Sequence, residues 1–307
     1  MNVEKFAIGT EKLVNPMAVG KTHYLQTRLA RLPVCMQQKI VKSVTKKAGQ
    51  MPFIVEPYAF FLFYELPEPS RVEKYLPSGF APVASSIFTG DPEKYYGIVS
   101  IIRLHTSVFW GARAEFYLVA KDEKTGLTSW VMEDYLSDTI SYDEVHGLKS
   151  PDCTSAVVTT TCEGDFLAEM EDTRTSGRLR RRLSVAASLK NAKLRPLDQR
   201  LWVEGNTSIA YGRLVGQADG DLFSLTFMPE EMHEALEVPL TDVRRAVAHA
   251  TTTRTGGVLE RAVCFPYAQH MLSDAPGVHT HYDSEAALRA AAEHVNFASL
   301  KSFSAKV

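Results

Sequence analysis

Apolar residues recur at helical spacing near the start of the chain. Leu25, Leu29 and Leu32, then Met36, Ile40, Val41 and Val44, predict helices over Thr22–Arg31 and Val34–Lys47, separated by Pro33. From Tyr58 the texture turns to strand. Tyr58–Glu65 is a run of Phe and Tyr, and a short helix is expected from Pro67 to Tyr75, closed by Pro77-Ser78-Gly79. Gly97–Phe109 is a long apolar strand pattern. Two hairpins follow, Arg113–Asp122 with Leu127–Tyr135 and Cys153–Glu163 with Phe166–Thr173, turning at Glu123–Gly126 and at Gly164-Asp165. Between the hairpins, Asp138–Val145 is expected as a short helix stopped by Gly147.

Further strands are expected at Arg178–Leu183, Arg200–Glu204, Thr207–Val215, Leu222–Met228 and Val258–Phe265. Helices are expected at Pro229–Leu236, Pro239–His249 and Ser284–Val295, the last capped by Asp283 or Ser284 and followed by a frayed tail of twelve residues. The fold class is therefore α+β and mainly β: a closed or nearly closed antiparallel-rich barrel with peripheral helices. Residues 1–50 form a basic helical N-terminal extension docked on the body. Residues 51–307 form a single β-barrel domain with C-terminal helices.

Composition bounds the function classes. The chain has 307 residues, 45% hydrophobic and 23% charged, enough apolar mass for a substantial core. A net charge of −2 gives no reason to expect nucleic acid as a partner. No apolar run is long enough for a bilayer, so no membrane partner is expected, and Met1–Phe6 lacks a secretory apolar region. Cys35, Cys153, Cys162 and Cys264 are scattered, as expected of four free buried thiols in a cytoplasmic protein. Residues 1–50 carry nine Lys or Arg against Glu4 and Glu11, about +7. The ordinary reading is a solvated face. The alternative is an interaction scaffold that meets an anionic partner, a membrane surface or an acidic neighbouring subunit. Arg178, Arg180 and Arg182 would share one strand face and, with no aromatics interleaved, are read as structural.

Of the motifs that carry chemistry, several are absent. No P-loop, G-x-S-x-G or G-x-G-x-x-G occurs, and His279-Thr280-His281 lacks a metal ligand set beyond Asp283 or His270. No metal and no cofactor are expected. What stands out is Lys149, the one Lys or Arg between Lys124 and Arg174. A lysine acts as a nucleophile only when its amine is uncharged, which requires its pKa to fall from ~10.4 toward ~7. Burial in a low-dielectric pocket does this, whereas nearby carboxylates such as Asp143 and Glu144 oppose it. By spacing alone, a surface lysine paired with Asp152 or Glu144 is the simpler reading.

The order of features resembles the acetoacetate decarboxylase family, whose members form an imine between a buried lysine and a keto substrate. Phe60–Tyr64, then Tyr75-Leu76-Pro77-Ser78-Gly79-Phe80-Ala81-Pro82, is similar to the family's opening strand and its L-P-x-G-L-x-P turn. Val131-Met132-Glu133-Asp134 resembles its x-Y-x-D strand, and Ser141–Lys149 matches in spacing the G-R-E-x-x-x-x-P-K segment. The resemblance spans residues 55–230. It implies Lys149 as the imine-forming lysine and Glu115 as the glutamate that faces the reaction centre. It also implies a homo-oligomer and a small keto or aldehyde substrate. Tyr142, His146, Trp130 and Phe61 are the candidate substrate-binding residues.

The departures are specific. Ser150 stands where the family has a second lysine and Leu148 where it has proline, and Ser141-Tyr142-Asp143 replaces G-R-E. Glu56-Pro57-Tyr58 occupies the place of the carboxylate-binding arginine, and Val99–Arg103 lacks a second glutamate. Losing the cation that seats a carboxylate argues against acetoacetate. The expected function is a lyase-type Schiff-base enzyme performing decarboxylation, aldol, dehydration or cyclisation chemistry. The alternative is a non-catalytic barrel that binds an apolar small molecule.

Overall fold

The computed structural model describes residues 1–45, 50–106, 108–143, 147–149, 151, 153–172, 182–213, 222–247, 255–274 and 280–300. Seven strands close on themselves. Lys94–Thr106 pairs with Trp110–Asp122, and that strand with Thr128–Ser137. Thr128–Ser137 runs parallel to Ser208–Tyr211, with Ile209 opposite Trp130. The circuit continues antiparallel through Leu222–Phe227, Gln269–Asp274 and Gln50–Val55, and returns to Lys94–Thr106 with Val55 opposite Leu104. Closure satisfies both edges of every barrel strand. The mainly β, α+β barrel expected from the sequence is the fold observed.

Lys94–Thr106 is long enough to serve two partners on one edge. Its first half pairs with Ala59–Glu65, which leads outward to Val258–Phe265, Glu234–Val238 and Lys193–Pro196. A separate four-stranded sheet contains Cys153–Thr160, Asp165–Asp172, Arg182–Ser188 and Val243–Val247. It covers the outer face, where Phe60 stacks on Phe166 with centroids 4.4 Å apart and planes 10° from parallel. Ala59–Tyr64 is therefore buried on both faces, Phe61 and Phe63 toward one core and Phe60, Leu62 and Tyr64 toward the other. That explains an apolar run without alternation.

Three helices open the chain, Val3–Leu13, Pro16–Leu29 and Val34–Thr45. The second and third follow the expected periodicity, whereas the first was not anticipated. Asn2 and Asn15 cap the first two through their side-chain oxygens. Phe6 and Leu13 pack against Met228, Leu272 and Ala292. Phe297 meets Phe6 edge-on, so residues 296–300 belong to this cluster and are not frayed. Ser284 caps Glu285–Glu293 as expected. No helix among the described residues is long and apolar enough to cross a membrane.

Several local expectations fail, each for a physical reason. Arg200–Glu204 is a π-helical turn, because Asp198 accepts from the N–H groups of Arg200 and Leu201 and the turn buries Leu201, Trp202 and Val203 together. Gly205–Thr207 continues it as a short α-helix before the Ser208–Tyr211 strand begins. Pro229–Met232 is a 3₁₀ turn, and the expected helices beyond it are the strands Glu234–Val238 and Val243–Val247. Distant partners, Val258–Phe265 and Arg182–Ser188, decide these pairings. Pro69–Arg71 and Glu73–Tyr75 are single 3₁₀ turns. Within the expected helix Asp138–Val145, Ser141–Asp143 is a strand paired with Gly147–Lys149. Cys153 and Cys264 are buried free thiols, but Cys35 and Cys162 are exposed. Arg178 and Arg180 lie outside the described residues.

Candidate active site in the barrel interior

Alternation along Trp110–Asp122 places Arg113, Glu115, Tyr117 and Val119 on the inner face, and Ala112, Ala114 and Phe116 on the outer one. The three inward polar residues form a relay. Arg113 donates through Nε to Glu115 Oε1 at 2.7 Å, and the Tyr117 hydroxyl donates to Glu115 Oε2 at 2.6 Å. Arg113 also lies over the Tyr135 ring at 4.7 Å, a cation–π contact. Burial opposes the Arg113 charge, but Glu115 and the phenols around it outweigh that and hold the guanidinium above its ordinary range. Burial and then the Glu115 charge push the Tyr117 phenol well above its ordinary range, so it stays a proton donor.

Ser100 sits directly across from Glu115 on the neighbouring strand. It is 2% exposed, and its hydroxyl has no hydrogen-bond partner among the described residues. An unmet buried hydroxyl costs about 1–3 kcal/mol, so Ser100 offers a hydrogen bond beside the buried ion pair to a polar group that reaches it, a buried water included.

Beneath the relay, Tyr117 contacts Trp130 at 5.3 Å, and Phe61 meets both Trp130 and Trp202 edge-on. Trp130 donates its indole N–H to the Leu201 carbonyl at 3.1 Å and Trp202 donates to the Ile87 carbonyl at 2.9 Å. Gly205 is obligatory here, since a Cβ at that position would stand 2.5 Å from Trp130 Nε1. These rings fill the barrel below Glu115 and form its floor. On the floor's other side, a cleft of about 200 Å³ is lined by Leu127, Arg200, Glu204, Thr207, Tyr282 and Ser284. Burial pushes the Glu204 carboxyl up.

Three of the expected site residues, Glu115, Trp130 and Phe61, thus form one continuous column. Arg113, Tyr117 and Ser100 were missed, although alternation from Glu115 along its own strand would have found the first two. The side chains of Tyr142 and Lys149, and all of His146, lie outside the described residues. The backbone of Lys149 pairs with Ser141, four residues after Ser137, which pairs with Arg113. This two-stranded ribbon is anchored to the third helix, where the Leu148 N–H donates to Gln37 Oε1 at 2.6 Å. Gly147 turns there at φ +76°, a left-handed conformation in which a Cβ would strike Gln37.

Glu56, at the position where the resemblance expects an arginine, has its own partners. Arg103 reaches it at 3.2 Å and Trp110 Nε1 at 2.9 Å, and His105 bonds it directly. Those bonds, that of His105 foremost, hold its carboxyl below the usual range. His270, a candidate metal ligand, is committed to Glu231 and Glu11. No metal-holding group of His, Cys, Asp and Glu occurs among the described residues.

The fold and this interior define a closed α+β barrel with a buried acid–base cluster on an aromatic floor. No protein-family model matches the chain, and no curated protein matches it. Among the solved structures similar to it are two of acetoacetate decarboxylase. One is the crystal structure of acetoacetate decarboxylase from Legionella pneumophila, with 12% identity, TM-score 0.39, and coverage of 73% of this chain and 84% of that one. The other is described as structural studies of acetoacetate decarboxylase, with 13% identity, TM-score 0.39, and coverage of 73% and 85%.

Proposed function

We propose that the chain is a lyase-type enzyme that processes a small keto or aldehyde substrate inside the barrel. The observation that carries this is Glu115, buried between Arg113 and Tyr117 and facing a serine hydroxyl that has no hydrogen-bond partner among the described residues. Burying an ion pair costs several kcal/mol per ion before its attraction is counted, and such clusters concentrate at functional sites. In this reading Ser100 and the Arg113 guanidinium hold the substrate oxygens. Each Glu115 oxygen keeps a free lone pair beyond the bond it accepts, so the carboxylate can take a proton from the substrate and return it.

Lys149 is the proposed imine-forming residue, on the strength of its place in the sequence. Its uncharged amine would add to the carbonyl carbon and expel the oxygen as water. The iminium would then draw in the electron pair of the breaking carbon–carbon or carbon–hydrogen bond. The test is borohydride reduction in the presence of a keto acid, followed by peptide mass analysis. A reduced adduct on Lys149 is expected, along with loss of turnover in Lys149→Ala and Glu115→Gln. Full activity in Lys149→Ala, with no adduct, ends the imine reading.

A second reading, a barrel that binds an apolar molecule without turning it over, draws on Phe53, Phe109, Tyr211 and Phe223, which are only partly buried against the barrel core. It predicts a ligand that co-purifies and survives Lys149→Ala.

A further inference from the structure

Above the relay, near the Thr106–Trp110 hairpin, four aromatic residues from separate parts of the chain touch in sequence. Phe109 meets Phe53 edge-on at 6.4 Å, Phe53 lies 6.3 Å from Phe223, and Phe223 stacks on Tyr211 at 6.1 Å. Tyr211 lies opposite Met132, which itself lies opposite Tyr117, so the arc ends two strands across from the acid–base cluster. The floor rings Phe61, Trp130, Trp202 and Phe265 are 6% exposed or less, whereas all four arc rings keep intermediate exposure.

A wall of rings left half-covered has a cost, since apolar surface in water is unfavourable by about 25 cal/mol per Å². Aromatic faces prefer flat partners at offset or edge-on geometry, each contact contributing about 0.5–1.5 kcal/mol beyond its area. A short aliphatic substrate that reached Ser100 and Arg113 would leave the arc uncovered. A substrate with a planar conjugated group next to its carbonyl would cover it while its oxygens met the polar cluster.

We infer that the interior selects aromatic or conjugated keto compounds over short aliphatic ones, with Phe53, Phe223 and Tyr211 as the specificity-determining residues. This rests on the interior being the ligand chamber, as proposed above. It separates from the imine chemistry because binding and adduct formation are read independently.

The test compares benzoylformate with pyruvate, two 2-keto acids that differ by phenyl against methyl, using calorimetric titration of the full chain. Benzoylformate should bind at least ten-fold more tightly. Phe223→Leu and Phe53→Leu, each checked for an unchanged thermal midpoint, should weaken benzoylformate by about ten-fold or more and leave pyruvate within two-fold. Equal affinity for the two acids, no binding of either, or benzoylformate binding indifferent to both substitutions overturns the inference. If benzoylformate binds with arc dependence but borohydride traps nothing on Lys149, the selectivity stands and the imine reading falls. If both acids are trapped equally well, the imine reading stands and the selectivity falls.

Discussion

The Tyr117 hydroxyl donates to Glu115 Oε2 at 2.6 Å, completing a carboxylate whose other oxygen is held by Arg113. Hydrogen bonds to a charged group contribute about 1.5–3 kcal/mol. Tyr117→Phe should therefore lower unfolding free energy by that amount in urea titration while leaving the ring contact with Trp130. A loss below ~0.5 kcal/mol would mean that the relay does not form in solution.

Arg113 and Glu115 should behave as one unit. Removing either partner of a buried ion pair leaves the other uncompensated, at about 3–5 kcal/mol. Arg113→Met and Glu115→Leu should each cost that much, and the double substitution should recover a large part of it. Strict additivity in the double-mutant cycle would show that the two charges are not coupled.

His270 joins the first helix to the barrel. Burial lowers its basicity, but Glu231 at 2.8 Å and Glu11 at 3.2 Å outweigh that and raise its pKa above the ordinary histidine value. A raised folded pKa gives stability that is full below the unfolded value of ~6.5 and lost as pH rises through the folded one. Amide exchange over Val3–Leu13, corrected for its intrinsic pH dependence, should speed up as pH rises through that window. His270→Gln should abolish the pH dependence.

Glu133 is 1% exposed, and neither carboxyl oxygen has a hydrogen-bond partner among the described residues. Burial, helped by Asp134, pushes it up to about 8. The fold therefore holds it neutral at pH 7. Its contribution is full below the ordinary carboxylate range, declines as pH rises, and is gone above pH about 8. Glu133→Gln should flatten the fall in unfolding free energy between pH 4.5 and about 8, the limits of that window. An unchanged slope would assign the titration elsewhere.

Phe166→Ala removes the ring stacked on Phe60 and opens the seam between the two sheets. A loss of about 3–5 kcal/mol is expected by calorimetry. A loss under ~1 kcal/mol would mean that the second sheet holds without this contact.

The strands around the site were legible because their signals are local. Trp110–Asp122 and Thr128–Ser137 carry their own alternation and turn residues, whereas Glu115 was picked out by the resemblance and not by any local pattern. Arg200–Glu204 reads as a strand by pattern, yet an Asp198 cap and a barrel floor needing three apolar side chains at once make it helical. Glu234–Val238 and Val243–Val247 carry helix-compatible residues that only distant partner strands could overrule.

By itself the sequence determined a mainly β chain with helices at both ends and an aromatic strand at Tyr58–Glu65, while Glu115 was singled out only by the resemblance in the order of features. The helices and the alternating strands follow from periods of 3.6 and two residues, and the aromatic strand from its run of Phe and Tyr, none of which needs knowledge of partners. Closure of seven strands, the contact of Phe53 with Phe223 and the unmet hydroxyl of Ser100 beside Glu115 were decided by the tertiary structure alone. Each depends on groups far apart in the chain meeting across the barrel, and no local pattern encodes that distance.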